Sequence, residues 1–582
     1  VTAAVTWSQA AGKTEFGVAA LRTQQGNVDA VAGQSFTLTT GVDGISGTAG
    51  NDTITGTSAT MAATDAIVDG STTDSDTLNM TLTATNNAAT ITNIETLNFD
   101  WNAYGTAGVD LSAVSGAKQV NVSSTKVGYL GDLTIADAGS NNINAGAGIV
   151  GTATLTDSKS GVVLTADNAA AASVTTTRTS ATGTLNSKSA TTLTLTDFAN
   201  GTINSGYAGS STVTVNADDN GKVTAKTTIN VAAPTVTIGT NTYAGDLTVN
   251  SSAATATITH TAGGIGNSLT IGGTGDVTLV TDATADTETI NNAKTAGTLT
   301  IKNSATTAVD ASNWTANTIW FSGIKTAADT VNSGANLKYS GSGTDVKVTI
   351  AGSGTTDTAT ATVTSQTVDE LTLSGVETLN WVAAAAQRVG TDQTVATLTF
   401  GASTNKVVLS GTNDVVVTSI ADAGTLDASA LVGKLTVSGT STTNNVTIKG
   451  GSGDTVIAGS ETTANLTATT LDGNDTVTAA TTTGAATLIL GNGDNTATAN
   501  AVTTGTLVVN AGSGIDTVSA TSVTTGTVNL SLGDGANVVT VGGTALTSGT
   551  VTINTGAGDD TYTIGSAAGP TAKVTIFRRC WR

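Results

Sequence analysis

The chain has little of what most chemistry needs. Its 582 residues include 1 His, 1 Cys, 2 Pro and 2 Met, with 3% aromatic and 11% charged residues. A single histidine, His260, excludes a histidine cluster for zinc and leaves one candidate base for a catalytic triad. Its neighbours Ala256 and Ile258, in a Thr-rich alternating stretch, mark it as a strand residue rather than a base. The lone Cys580 excludes an intramolecular disulfide, which suits a cytosolic chain or one exported by a route that avoids disulfide chemistry. The longest apolar runs, near 382–386, fall well short of the ~18 residues of a membrane helix. The first residues also lack the basic start and apolar core of a cleavable signal peptide. Only 22 Lys and Arg stand against 43 Asp and Glu, a formal charge of −21, so no basic footprint for nucleic acid exists. Arg22, Arg178 and Arg388 are isolated, which argues against the carboxylate-and-cation groove of a polysaccharide lyase or hydrolase and, more broadly, against an enzyme.

What is present favours strands and tight turns. Thr is roughly a fifth of the residues, joined by Val, Ile, Ala and 68 Gly. Acidity is almost all Asp; the glutamates are Glu15, Glu95, Glu288, Glu370, Glu377 and Glu461. Asp favours turns and caps, so the negative charge is expected at corners. Short apolar-Thr-apolar cores recur at 133–135, 193–195, 213–215, 236–238, 247–249, 269–271 and 299–301, each bounded by Gly, Asn, Asp or Ser. No helical pattern intervenes. The expected fold is all-β, a parallel β-solenoid or β-roll of stacked short strands, with a short helical remnant at the N-terminus over 13–23, ended by Gly26.

The period is clearest in the last quarter. Asx turns at Asp454, Asp475, Asn495, Asp516, Asn537 and Asp560 are separated by 21, 20, 21, 21 and 23 residues. Gly484, Gly505, Gly526 and Gly549 run in phase at 21, 21 and 23. Two turn markers per winding describe a coil of two strands and two turns, stacked at about 4.8 Å, with mostly Thr pointing outward. From 125 to 300 the spacing does not reduce to one number. A longer repeat pairs Asp74, Asp76 and Glu95 with Asp357 and Glu377, the two glutamates lying 282 residues apart, and Trp101 and Trp381 after it are expected to plug a core end. The segments beginning at Asp110, Asp310 and Asp427, each followed two residues later by Ser, read as another shared turn.

Residues 47–55, Gly-Thr-Ala-Gly-Asn-Asp-Thr-Ile-Thr, fit the calcium nonapeptide G-G-x-G-x-D-x-U-x except that Thr48 replaces the second Gly. Residues 450–456 are the same motif one residue short. In such turns glycines let backbone carbonyls and an Asp carboxylate converge on an oxygen-seeking cation. The candidate ligands for Ca2+ are Asn51, Asp52, Asp69, Asp74, Asp76, Asp345, Asp357, Asp454, Asp472, Asp475, Asp494, Asp516, Asp534, Asp559 and Asp560. For the C-terminal array a metal-free alternative stands beside calcium, because Asp and Asn alternate and the turns can shape a corner by hydrogen bonding alone.

Residues 34–55, the Val376-Glu377-Thr378-Leu379 element and residues 431–456 resemble bacterial surface-layer (S-layer) proteins of the repeats-in-toxin (RTX) type, over about residues 30–570. The resemblance implies type I secretion through an uncleaved C-terminal signal, folding on external calcium, and self-assembly into a two-dimensional lattice on the bacterial cell surface. It also implies an N-terminal helical domain anchored to lipopolysaccharide, here missing or reduced to the first ~26 residues. The family's coils are about 18 residues with a nonapeptide at both edges, whereas these are about 21 with Asx turns at one edge, so fewer ions per coil are expected. The organisation expected is a helical end at 1–33, a first RTX-like unit at 34–110, an irregular solenoid at 111–330, a second RTX-like unit at 331–460, a regular solenoid at 461–570 and an atypical tail at 571–582. The alternative function is a secreted adhesin or extracellular filament or matrix subunit.

Overall fold

A computed structural model describes residues 31–578 apart from 87–88, 128–130, 157, 177–180, 197, 219–224, 240–244, 261–267, 283–288, 323–326, 341–345, 352–353, 355, 365–366, 369–370, 385–386, 390–397, 400–404, 481–482, 500–501, 543–545 and 566–571. The helix expected over 13–23, Asp345 and Cys580 lie outside the described residues. No helix occurs among the described residues, and hence none long and apolar enough to cross a membrane. The chain is all-β, with parallel strands stacked as a solenoid, and it divides into two compact units, residues 1–280 with 290–299 and residues 281–289 with 300–582.

In the first unit a 13-stranded ladder runs from Ser35–Thr37 to Thr289–Lys294. A second ladder starts at Ala107–Asp110, continues through Gly131–Ala136 and reaches Asp276–Thr281, and a four-stranded sheet joins Gly44–Ser46, Ala66–Val68, Thr90–Thr92 and Val114–Ser115. Alternation explains each rung. In Thr77–Leu82, Leu78, Met80 and Leu82 are buried while Thr77, Asn79 and Thr81 are half-buried on the other face. Stacking in register turns these positions into columns: Leu97, Val120, Ile143, Leu164, Leu185, Ile203, Ile229, Val249 and Ile271 follow one another through nine windings, all buried. Each such side chain contributes about 1.5–3 kcal/mol through burial.

The neighbouring outward column carries asparagine at several rungs. Asn79, Asn98 and Asn121 form an amide ladder, Asn98 Nδ2 donating to Asn79 Oδ1 at 2.9 Å and Asn121 Nδ2 to Asn98 Oδ1 at 2.8 Å. Farther along, Asn186, Asn204, Asn230 and Asn250 repeat it at 2.6 to 2.9 Å. Parallel in-register stacking brings identical amides to hydrogen-bonding distance, so one side chain satisfies the next.

In the second unit a ladder runs from Leu299–Asn303 to Lys573–Arg578, beside a four-stranded sheet beginning at Asp329–Val331 and a ten-stranded sheet from Thr367–Val368 to Thr561–Ile564. The segment read as an atypical tail continues this ladder, Lys573 to Arg578 pairing residue for residue with Thr550 to Thr555. Trp381 does not plug an end. It sits inside the ladder between Ala361 and Leu409, where the small alanine leaves room for the indole. His260 ends the strand Thr255–His260 at a buried position in register with Ile238, as a strand residue.

Candidate metal centre

Three successive turns of the first unit stack their acidic residues. The turn before the strand Thr53–Thr57 supplies Asp52, the turn before Thr77–Leu82 supplies Asp69, Asp74 and Asp76, and the turn before Thr96–Trp101 supplies Glu95. Backbone amides hold them in file. Gln34 N donates to Asp52 Oδ1 at 2.6 Å, Asp52 N to Asp76 Oδ1 at 2.7 Å, and Asp76 N to Glu95 Oε2 at 3.0 Å. Each carboxylate thus caps the winding before it, and the register of the ladder fixes where its second oxygen lies.

Carboxylate oxygens of Asp52, Asp69 and Asp76 lie within 4.8 Å of one another, and so do those of Asp74, Asp76 and Glu95. Asp52, Asp69, Asp76 and Glu95 are 1%, 1%, 0% and 6% exposed, a depth at which ionised side chains are normally paired. Asp69 Oδ1, Asp76 Oδ2 and both oxygens of Asp74 are shielded from solvent with no hydrogen-bond partner. Asp69 Oδ2 is occupied by the Ser71 amide, and the Lys118 ammonium stands 3.6 Å from Glu95 Oε1.

The departure from the nonapeptide has a role. Thr48 N donates to Asp52 Oδ2 at 2.6 Å and its hydroxyl to Asp52 Oδ1 at 3.0 Å. Burial acts to raise the Asp52 pKa, but the hydrogen bonds from Gln34 and Thr48 outweigh it, so this carboxyl is held below its ordinary value. Asp76 goes the other way: burial, and then the charges of Asp74, Asp69 and Asp52, push it up to about 6 against the lowering hydrogen bond from Asp52 N. Gly47 is required beside them, because a Cβ there would lie 2.3 Å from Asp69 Oδ1 and 2.8 Å from Asp52 Oδ2. Carboxylates at ~4 Å repel by about 1 kcal/mol per pair in bulk water and about 4 kcal/mol at an effective dielectric of 20. An all-oxygen, acceptor-only cradle with orphaned buried oxygens is the donor set of a hard divalent cation.

Of the residues expected to bind metal, the structure brings together Asp52, Asp69, Asp74 and Asp76. Asn51 is exposed, its Oδ1 accepting from Ser75 N at 2.9 Å. Glu95 is the member that motif reading did not name as a ligand; its rarity and its place in the repeated element were the available signal. In the second unit Asp357 N donates to Glu377 Oε2 at 2.8 Å, repeating the Asp76 to Glu95 bond, but Ile350 stands where Asp69 stands in the first unit.

The C-terminal array is a hydrogen-bonded ladder. Thr455 N donates to Asp475 Oδ1, Asp475 N to Asn495 Oδ1, Asn495 N to Asp516 Oδ1, Asp516 N to Asn537 Oδ1 and Asn537 N to Asp560 Oδ1, at 2.7 to 3.3 Å. Asp454, Asp472, Asp494, Asp534 and Asp559 lie exposed outside this column; the first four accept from the following winding, for example Asn474 N to Asp454 Oδ1 at 2.9 Å. Among the described residues no set of three carboxylates meets there as it does around Asp76. No protein-family model matches the chain, and no curated protein matches it either.

Proposed function

We propose that this is a structural, non-catalytic, calcium-binding protein of the bacterial cell surface, one that self-assembles into an S-layer lattice with Ca2+ rigidifying stacked acidic turns. The observation that carries the reading is the convergence of buried Asp52, Asp69 and Asp76 beside Gly47, with Asp69 Oδ1 and Asp76 Oδ2 satisfied by no protein donor. A divalent ion there replaces repulsion between two windings with a shared attraction, so binding energy becomes folding energy. A cell-surface location is part of this reading, since calcium sites of extracellular modules work at calcium concentrations far above those of a cytosol. Low charge density and long Thr- and Asn-faced ladders favour side-by-side packing of copies. A calcium titration followed by circular dichroism and sedimentation tests it. Calcium should cooperatively increase β-structure and drive assembly, and excess chelator should dissociate the assembly; an assembly unchanged in chelator overturns the proposal.

A further inference from the structure

We propose that the acidic turns of the first unit hold two divalent cations rather than one, with Asp76 as the carboxylate that bridges them. The inference rests on the calcium reading of this site and specifies its stoichiometry. The five acidic side chains do not form one shell. They form two sets, Asp52 with Asp69 and Asp76, and Asp74 with Asp76 and Glu95, which share only Asp76. Within each set every pair of ligand oxygens fits inside 4.8 Å, the span between opposite ligands of an ion whose Ca–O bonds are about 2.3–2.6 Å.

Each set also carries its own unpartnered buried oxygens, so neither is satisfied by the protein alone. In the first, Asp69 Oδ1 faces the space left by the missing side chain of Gly47. In the second, both oxygens of Asp74 are shielded and without a donor. Asp76 has one oxygen engaged by Asp52 N, while Oδ2 has no partner. A carboxylate shared by two sets, with an oxygen left over, is in the position of a bridging ligand.

Charge balance points the same way. Five carboxylates carry −5; one divalent ion leaves −3 and two leave −1, with Lys118 beside Glu95 to offset the remainder. Burial makes the difference between −3 and −1 decisive, because unpaired charge removed from water is costly. The two ions would also tie different windings. The first joins the turns of Asp52 and Asp69, and the second joins the turns of Asp74 and Glu95.

The test counts bound calcium per chain by native mass spectrometry and equilibrium dialysis, comparing the full-length protein with four variants. Asp76→Asn should lose two ions, and Asp69→Asn, Asp74→Asn and Glu95→Gln one each, with circular dichroism confirming retained β-structure. Loading with Mn2+ gives a readout independent of variant stability: the parent should show an exchange-coupled paramagnetic spectrum, and Asp69→Asn the hyperfine pattern of an isolated ion. If Asp76→Asn loses a single ion and the parent shows only isolated-ion spectra, the bridge is refuted while calcium binding stands. If no variant changes the count, the calcium reading of the site falls with it.

Discussion

Asn495 donates from Nδ2 to Asp516 Oδ1 at 2.9 Å, one winding away, while the same amino group reaches the carbonyls of Gly491 and Gly493 in its own turn at 3.2 and 3.0 Å. Asn537 repeats the arrangement with Asp560, Gly533 and Gly535. The amide therefore places a donor among three oxygens. At the alternate positions, Asp475 and Asp516 present an oxygen instead, and Oδ2 of each is buried without a partner. Burial raises the pKa of both carboxyls.

A contrast between isosteric changes follows. With calcium chelated, Asn495→Asp should destabilise the protein by about 2–4 kcal/mol at neutral pH, since a carboxylate oxygen replaces a donor facing two carbonyls. Asp516→Asn should stabilise it by about 1 kcal/mol, since a donor replaces an orphaned oxygen. Denaturant midpoints with unchanged slope measure both. Equal and opposite signs reversed from these would show that the column is not held by amide donation.

Glycine at the corner of each C-terminal winding is fixed twice over. Gly514 has φ +136°, and a Cβ on it would lie 2.2 Å from Gly493 O in the winding before. Gly493, Gly535 and Gly558 share the conformation and the close approach. Gly514→Ala should cost about 3 kcal/mol or more from backbone strain and the clash with a carbonyl that cannot yield. Thermal unfolding checks it, with Gly484→Ala as a comparison that has the clash, at 1.9 Å from Ala464 O, without a left-handed φ.

The regular C-terminal period was legible because its turns are tight and vary by only a few residues. The windings from 125 to 300 were not reducible to a period for a physical reason the Asn ladder exposes. Successive rungs there are separated by 18, 26 and 20 residues from Asn186 to Asn250, yet the amides stay at hydrogen-bonding distance. Loops absorb the difference in length while the strands keep register, so a solenoid can be exact in space and irregular in sequence. The turn at 47–55 announced Asp52 through its glycines. Glu95 stood in no turn motif, and only the register between adjacent windings brings it to Asp76. The outward Asn column leaves no such signal, because Thr dominates the composition.

The turn shared by Asp110, Asp310 and Asp427 is real: each Oδ1 accepts from the amide two residues on, at 2.9, 2.9 and 3.2 Å. Asp427 also forms ion pairs, with the ammonium groups of Lys406 and Lys449 at 2.9 and 3.5 Å from Oδ2. Burial works to raise its pKa, but hydrogen bonds from Ser429 and Lys406 and the charge of Lys406 bring it to about 2, below the ordinary 3.8. A carboxyl depressed on folding contributes stability above its unfolded pKa, and that stability is lost as pH falls from about 4 through about 2. The shift corresponds to about 2 kcal/mol at most, less what solvent takes from the half-exposed lysines. Asp427→Asn should lower stability at pH 7 and flatten its dependence between pH 4 and pH 2. Urea titrations across that range would show an unchanged acid limb if the pair contributes nothing.

The sharpest test of the metal centre leaves every acidic residue in place. Gly47→Ala adds one methyl group, which would fall 2.3 Å from Asp69 Oδ1 and 2.8 Å from Asp52 Oδ2. No φ is strained at Gly47, since its backbone is not left-handed, so the methyl acts by occupying space and not by distorting the chain. Asp69 must then turn away from Asp52 and Asp76, and the first carboxylate set opens. Calcium affinity measured by calorimetry should fall by at least tenfold, while the chelated protein should unfold near the parent's midpoint. The separation matters: a loss of stability in chelator with calcium affinity intact would mean that Gly47 serves packing between windings, and that the oxygens around it are not a cation's cradle.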